Sequence, residues 1–201
     1  MSNKRSINIF VLLFIVLFAI GAVVGYFMYK TAEHEYMLAA YPLKYTEYVE
    51  KYADKYGMDK YRLYAYIKTE SGFDPQAVSD TGARGLMQIM EDTFDWVKFR
   101  LGDGEEVTYD DMFDPETNIR YGAYLVYYLT EDFGNDDTAA AAYFSGIGEV
   151  GKWLGDPEYS KDGIRIEKYP SRNAEHYVNK INNAIKTYYE LYVRERTDNN
   201  G

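Results

Sequence analysis

One acidic residue lies where the helical pattern of the sequence requires an apolar side chain. Leu63, Ile67 and Glu70 follow one another at four- and three-residue spacing, so they share one face of a predicted helix that Asp59 caps. Burial at the end of that face raises the pKa of a carboxyl group and makes it a proton donor near neutral pH. Glu70 is therefore the candidate general acid/base. A salt bridge to a nearby Lys or Arg, or an exposed helix terminus, is the alternative interpretation.

The segment after Glu70 places polar and soft side chains next to that carboxyl group. A glycine-bearing loop from Gly72 to Gly85 leads into a short apolar run that contains the amide of Gln88. This amide can bind a sugar hydroxyl or acetamide, and it can equally be a satisfied core or helix-capping group. Met90 offers its soft surface either to a sugar ring or to the core.

The composition excludes several other kinds of chemistry. The 201 residues include no cysteine, two histidines (His34 and His176) and 23 tyrosines, and the formal net charge is −10. A chain without cysteine has no disulfide framework, thiolate zinc site or cysteine nucleophile. With two histidines we expect no metal site and no cofactor, and the acidic balance opposes nucleic-acid binding. The tyrosines suit a carbohydrate groove, because each has an apolar face and a polar tip.

The N-terminal region differs from the rest in charge and hydropathy. No Asp or Glu precedes Glu33, and residues 9–28 carry no charge. A helix of this length spans the roughly 30 Å hydrocarbon core of a membrane. Because Lys4 and Arg5 precede it, the N-terminus is expected in the cytoplasm and the remainder of the chain outside it. We predict an uncleaved membrane anchor over 9–29, with a cleaved secretory signal as the alternative.

The remainder is predicted to be mainly α, because no run of alternating apolar and polar residues suggests a strand. The predicted division is a cytoplasmic tip over 1–8, an anchor over 9–29, a linker over 30–44, a catalytic domain over 45–193 and a polar tail over 194–201. Helices are predicted to begin after Pro42 and near Asp59, Thr93, Asp114, Asp137 and Ala174. Residues 155–171 are predicted to form a loop.

Four motifs together resemble the lytic transglycosylase family that has a soluble-lytic-transglycosylase, lysozyme-like catalytic domain. They are the stretch Glu70–Met90, which contains Gly-Leu-Met-Gln-x-Met; Asp114-Pro115 with Asn118-Ile119 and Gly122; Ala142-Tyr143-Phe144-Ser145-Gly146; and Pro170 through Tyr177-Val178. The resemblance covers roughly 45–192. It implies a mainly α, lysozyme-like (goose-type) helical domain preceded by one transmembrane helix.

The resemblance also implies a site and a reaction. Glu70 corresponds to the family's sole catalytic acid/base, which cleaves peptidoglycan between N-acetylmuramic acid and N-acetylglucosamine without water and leaves 1,6-anhydro ends. The family's substrate-binding residues correspond to Ser79, Gln88, Met90, Tyr143 and Tyr177. The implied partners are the glycan strands and, through the N-terminal helix, the membrane. The sequence does not identify any protein partner.

Two other functions remain open on the same fold. A goose-type hydrolase needs a second acid to activate water, and Asp74 and Asp80 in the loop are the available candidates. An inactive, membrane-anchored peptidoglycan-binding scaffold is the other alternative.

This chain departs from the family pattern at three positions. Phe144 replaces an Asn, Glu91 replaces a Pro and Asn173 replaces a Glu. The first and third are expected in or near the groove, where they affect subsite contacts and chain-length preference. None of the three is the proton donor.

Overall fold

The computed structural model describes residues 2–194 of the chain, and these are largely helical. The helices are α1 (Ser2–Ala40), α2 (Thr46–Lys55), α3 (Lys60–Glu70), α4 (Glu91–Leu101), α5 (Pro115–Phe133), α6 (Asp136–Ser145), α7 (Ile147–Leu154) and α8 (Arg172–Tyr189). A 3₁₀ turn, Tyr109–Phe113, precedes α5, and a π-type turn, Glu190–Arg194, follows α8. No β-strand occurs within 2–194, which confirms the mainly α prediction. Apart from Arg194, the predicted tail lies outside the described residues.

The chain divides into two compact units between Pro42 and Leu43. The first contains α1, in which Ile9–Ala40 is long and apolar enough to cross a membrane. Its most apolar 18-residue window has a mean hydropathy of 2.9, and none of that window is buried. Because the helix continues to Ala40, most of the predicted linker over 30–44 is helical. An anchor and a signal segment share this length and composition, and the division of the first 44 residues stays a prediction.

In the second unit, side-chain caps mark the starts of α3, α5, α6 and α8. The Asp59 carboxylate accepts from the Tyr61 amide at 2.7 Å and starts α3, as predicted. Asp114 caps α5 in the same way, with Pro115 at its first position. The start predicted at Asp137 for α6 is one residue late. Asn135 accepts from the amide of Thr138 at 3.0 Å and therefore caps a helix that begins at Asp136.

Helix α3 forms the centre of the core. Every residue from Leu63 through Ile67 is buried, and α8 packs against this helix and against α6. The buried residues of α8 lie on one helical stripe: Ala174, Tyr177, Val178, Ile181, Ala184 and Tyr188. Helices α6 and α8 therefore bring residues from distant parts of the sequence to the end of α3, where Glu70 lies.

Helix α7 is absent from the helices predicted from the sequence. Gly148 and Gly151 lower its intrinsic helix propensity, while Val150 and Trp153 bury one face of it against the domain. The predicted loop over 155–171 consists of turns and bends. It is fastened to α6, because the hydroxyl of Thr138 donates to the carbonyl of Ile164 at 2.8 Å.

Candidate active site

Glu70 is the last residue of α3, one turn beyond the fully buried Ile67. The carboxyl group is half-buried, and the hydroxyl of Tyr177 on α8 donates a hydrogen bond to it. Within residues 2–194 Glu70 forms no salt bridge, which removes that alternative interpretation. The helical pattern therefore predicted its place on the core-facing side of α3 correctly.

The surroundings of Glu70 favour its protonated form. Burial raises the pKa of this carboxyl group from 4.5 to about 7. The hydrogen bond from Tyr177 and the positive charge of Lys180 lower the pKa by smaller amounts. Lys180 was not singled out from the sequence, although it follows Tyr177 by three residues on the same helix. A group with a pKa near 7 can both donate and accept a proton at neutral pH.

Four aromatic residues form a cluster that contacts the Glu70 carboxyl group through Tyr177. Tyr177 is 7% exposed, and the ring of Phe144 stacks on it with centroids 4.9 Å apart. Tyr143 lies on the same helix as Phe144, and its ring is 4.9 Å from that of Tyr66. Burial, together with the charge of Glu70, raises the pKa of both Tyr143 and Tyr177, so their hydroxyls remain protonated donors. Tyr66 precedes Glu70 by one helical turn on the same stripe, but it was not among the predicted site residues.

Residues 71–90, here called the site loop, fold back on the end of α3. The hydroxyl of Ser71, which caps α3, donates to the carbonyl of Leu86 at 2.8 Å and joins the start of the loop to its end. Isolated bridges pair Arg84 with Val78 and with Ile89. These contacts make the site loop a folded, hydrogen-bonded structure next to Glu70.

A buried amide fastens the site loop to α5. Asn118 is fully buried, and its amide nitrogen donates to the carbonyls of Arg84 at 3.0 Å and Met112 at 2.8 Å. Its amide oxygen accepts from the backbone N–H of Met87 at 2.8 Å. Gly85 sits at this junction with φ +75°, and a Cβ there would overlap the Met112 carbonyl oxygen. The Asn and Gly of the family motifs are thus explained by packing.

Three of the predicted substrate-binding residues, Ser79, Gln88 and Met90, belong to the site loop. Gln88 adopts φ +49°, and its amide nitrogen donates to the carbonyls of Gly85 and Ala77 at 3.0 and 3.2 Å. Its side chain thus holds the loop together, and among the described residues no donor contacts its amide oxygen. The Ser79 hydroxyl accepts from the Ala83 amide at 3.0 Å. Met90 is 41% exposed.

The structure brings together some of the predicted site residues and leaves others apart. Tyr177 contacts Glu70 directly, and the hydroxyl of Tyr143 donates to the Met87 carbonyl at 2.6 Å. Ser79 and Met90 are linked through Thr81, which contacts the Ser79 hydroxyl at 3.0 Å and the Met90 sulfur at 3.8 Å. Within residues 2–194, no hydrogen bond joins Ser79, Gln88 or Met90 to Glu70.

The three departures from the family pattern occupy different surroundings. Phe144, stacked on Tyr177, is 47% exposed. Asn173 is exposed in the first turn of α8, one turn before Tyr177. Glu91 is the first residue of α4, where a negative charge interacts favourably with the helix dipole. Phe144 is therefore the departure nearest to the Glu70 contact.

Asp74 and Asp80, the candidates for a second acid, are exposed in the site loop. The Asp74 carboxylate accepts from the Gln76 amide at 2.9 Å, which is the geometry of a turn. Neither carboxylate is among the groups that shift the pKa of Glu70. Among the described residues, no group of three or more His, Cys, Asp or Glu side chains could hold a metal ion.

Comparison with known proteins identifies the family. The family model described as Transglycosylase SLT domain matches residues 47–165. The chain belongs to this family. It is 29% identical over 158 residues to the soluble lytic murein transglycosylase of Escherichia coli K12, a match that covers 78% of this chain and 24% of that protein. It is 31% identical over 166 residues to the membrane-bound lytic murein transglycosylase C of Serratia proteamaculans, covering 72% of this chain and 46% of that protein.

The fold agrees with a solved member of the SLT family. The crystal structure of the 70 kDa soluble lytic transglycosylase of Escherichia coli matches with a TM-score of 0.67 and 27% identity, over 76% of this chain and 25% of that one. The predicted lysozyme-like SLT fold is therefore confirmed. The chain spans between a quarter and a half of the length of these curated relatives. Tyr177 lies beyond the residues that the SLT family model matches.

Proposed function

We propose that this chain is a peptidoglycan lytic transglycosylase in which Glu70 alone acts as acid and base. The observation that carries the proposal is the half-buried Glu70 carboxyl group, which has a pKa of about 7 and a hydrogen bond from Tyr177. Most glycosidases need two carboxyl groups. Among residues 2–194 no second carboxylate shifts the pKa of Glu70, which favours a reaction that the substrate completes by itself.

The proposed reaction proceeds in two proton transfers. Protonated Glu70 donates to the glycosidic oxygen between N-acetylmuramic acid and N-acetylglucosamine, and the bond from that oxygen to C1 of the muramic acid breaks. The neighbouring acetamide stabilises the positive charge at C1. The Glu70 carboxylate then removes the proton from the C6 hydroxyl of the same sugar, whose oxygen attacks C1. The products are a 1,6-anhydro end and a new N-acetylglucosamine end, and no water is consumed.

The other predicted site residues are proposed to orient the sugars. The Tyr177 hydroxyl holds the Glu70 carboxylate in place between the two proton transfers. The amide oxygen of Gln88 accepts from a sugar hydroxyl or acetamide N–H, and the exposed Met90 lies against a sugar ring. Ser79 and Tyr143 are proposed to line the same groove.

We also propose that α1 anchors the catalytic domain to the membrane. Its apolar length supports this role, and Lys4 and Arg5 before the apolar stretch favour a cytoplasmic N-terminus. A relative that is 31% identical is named as membrane-bound. With this topology the catalytic domain lies outside the cytoplasm and acts on glycan strands within reach of the membrane.

The experiment that tests the proposal is mass spectrometry of the muropeptides released from purified peptidoglycan. We expect the unaltered protein to release fragments with 1,6-anhydro ends and the Glu70→Gln variant to release none. Glu105→Gln, which alters an exposed carboxylate, is the matched control and retains activity.

Other products distinguish the alternatives. Reducing ends on muramic acid indicate a hydrolase, and binding without release indicates a scaffold. Full activity of the Glu70→Gln variant contradicts the assignment of the acid/base.

A further inference from the structure

Three basic side chains follow one face of α8. Arg172, His176 and Lys180 are spaced by four residues, so they lie within about 80° of the helix circumference and about 6 Å apart along its axis. All three are exposed, and together they are here called the basic stripe. Glu175, the only acidic residue of α8, lies outside this arc. The stripe is therefore a row of positive charge and N–H donors that faces solvent.

The basic stripe is not neutralised by the domain itself. Within residues 2–194 its three side chains form no salt bridge and no hydrogen bond. Cations before and after it are paired, Lys168 with Glu158 and Lys186 with Glu190. The whole chain has 32 acidic and 22 basic residues, so a row of unpaired cations is a local exception that attracts anions to this face.

One end of the basic stripe reaches the Glu70 site. Lys180 lies one turn beyond Tyr177, whose hydroxyl donates to Glu70, and its positive charge acts on the same carboxyl group. Arg172 is the first residue of α8, about 12 Å from Lys180 along the helix axis. An extended group attached to a sugar at Glu70 can therefore run from Lys180 along the helix to Arg172.

A departure from the family pattern keeps the stripe free of negative charge. Asn173 stands where the family has Glu, and it is exposed between the stripe and Tyr177 around the helix. A carboxylate at this position would lie three residues from His176, where side chains of a helix meet, and would repel an anionic ligand. With Asn173 the path from the stripe to Glu70 carries no acidic side chain of α8.

We propose that the basic stripe binds the carboxylates of the peptide that N-acetylmuramic acid carries on its lactyl group, so that this chain selects strands whose peptides are negatively charged. Lys180 binds the carboxylate nearest to the sugar, Arg172 binds one further along the peptide, and His176 donates an N–H between them. Exposed ion pairs are individually weak, so the selection needs several in a row. The inference rests on the proposed function, since it assumes that N-acetylmuramic acid binds at Glu70.

Co-sedimentation of the full chain with insoluble peptidoglycan, in detergent, tests this contact. The Glu70→Gln variant is used, so that no strand is cleaved and the charge of Glu70 plays no part. Peptidoglycan with free peptide carboxylates is compared with the same material after carbodiimide and ammonia have converted these carboxylates to amides. We expect the amidated material to bind about tenfold more weakly, the combined effect of two or three exposed ion pairs.

Variants of α8 in the same background assign the effect to the stripe. Arg172→Gln combined with Lys180→Gln is expected to weaken binding of the carboxylate form by about tenfold and to leave binding of the amidated form unchanged. Asn173→Glu, which restores the family residue, is expected to reduce the preference for the carboxylate form by about threefold. The matched control is Lys186→Gln, which removes a cation of the same helix that is paired with Glu190 and should retain the full preference.

The outcomes separate this inference from the proposed function. Equal binding of the carboxylate and amidated forms overturns the inference, and so does a preference that the double variant retains. If removal of phosphate-linked polymers with hydrofluoric acid weakens binding and amidation does not, the ligand is a phosphate polymer and the inference is wrong. If the unaltered protein still releases anhydro fragments in these cases, the proposed function stands alone. If the preference holds and no anhydro fragment appears, the stripe binds the peptide and the proposed reaction is wrong.

Discussion

Two segments contact the Glu70 site, and they are held in place by different kinds of interaction. The site loop over 71–90 is fastened by hydrogen bonds, among them those of the fully buried Asn118. The corner over 143–147, where α6 meets α7, presents apolar side chains to solvent. Phe144 is 47% exposed and Ile147 is 40% exposed. The corner contacts the site through ring stacking and one tyrosine hydroxyl.

The difference indicates which segment tolerates change. Buried polar groups need partners of fixed geometry, so few side chains can replace those that fasten the site loop. Half-exposed rings have no such requirement. The family pattern is accordingly retained around Asn118, whereas the corner carries Phe144 in place of Asn. We infer that the site loop positions the acid and that the corner adjusts which sugars bind beside it.

The largest expected effect comes from crowding the site loop. In Gly85→Ala the new Cβ overlaps the Met112 carbonyl oxygen and meets the amide of Asn118, and the residue must still adopt φ +75°. We expect a loss of about 3 kcal/mol or more in the free energy of unfolding, measured by urea denaturation of the full chain in detergent.

Gly82→Ala is the matched control for this change. Gly82 also has a positive φ, +89°, but a Cβ there has no neighbour within 4 Å. Only the conformational cost of about 1–2 kcal/mol then applies. If the two variants lose equal stability, close packing between the site loop and α5 adds nothing to the effect of the positive φ. The site loop would then tolerate change better than we infer.

The next largest effect is a pH-dependent change in the free energy of unfolding, which arises because Glu70 is buried. Because the pKa of Glu70 is about 7 in the folded protein and 4.5 is its ordinary value, the folded state binds more protons between these values. Its contribution to the free energy of unfolding is thus fully present below pH 4.5 and is lost as the pH rises through about 7. Glu70→Gln, which is never charged, is expected to be more stable than the unaltered protein by about 3 kcal/mol at pH 8.

The measurement is thermal unfolding of both proteins across this pH range. The difference between them should vanish near pH 4.5, and the control Glu105→Gln should show none at any pH. If the difference in stability does not depend on pH, burial does not disfavour the charged form of Glu70, and the prediction is wrong.

Local signals predicted much of the fold. The Asp59 cap, the Asp114-Pro115 start and the stripe of α8 involve hydrogen bonds or spacings within a few residues, so the sequence alone displays them. Helix α7 was missed because Gly148 and Gly151 oppose it locally, and burial of Trp153 against the rest of the domain stabilises it. Such packing is not visible in a short window of sequence.

For the site, the sequence predicted individual residues but not the contacts between them. The helical pattern marked Glu70 as a core-facing carboxyl group, and the family motifs singled out Tyr177. The pattern of either helix does not show that these two side chains meet, because they are 107 residues apart. The same holds for the stacking of Phe144 on Tyr177, which depends on how α6 packs against α8.

Tyr177 touches both Glu70 and Phe144, so its hydroxyl tests the link between the acid and the corner. In Tyr177→Phe the stacked ring remains, but the hydrogen bond that lowers the pKa of Glu70 is lost. That pKa then rises above about 7, and the alkaline limb of the kcat/KM profile moves to higher pH. We expect kcat/KM to fall by about tenfold, because one hydrogen bond to a charged group is lost.

Tyr143→Phe is the control for Tyr177→Phe. Its hydroxyl donates to the Met87 carbonyl and not to Glu70, so its pH profile should remain that of the unaltered protein. A shift of equal size in both variants would indicate a general disturbance of the site.

The smallest expected effect restores the family residue at the corner. Phe144→Asn removes a half-exposed ring and its stack on Tyr177, so the free energy of unfolding should fall by about 1 kcal/mol or less. Because Glu70 and its hydrogen bond stay in place, kcat should change little while KM for glycan strands changes severalfold. Phe144→Tyr keeps the stacked ring and should leave both constants unaltered. If Phe144→Asn lowers kcat and leaves KM unchanged, the corner positions the acid, and the division of roles between the two segments is wrong.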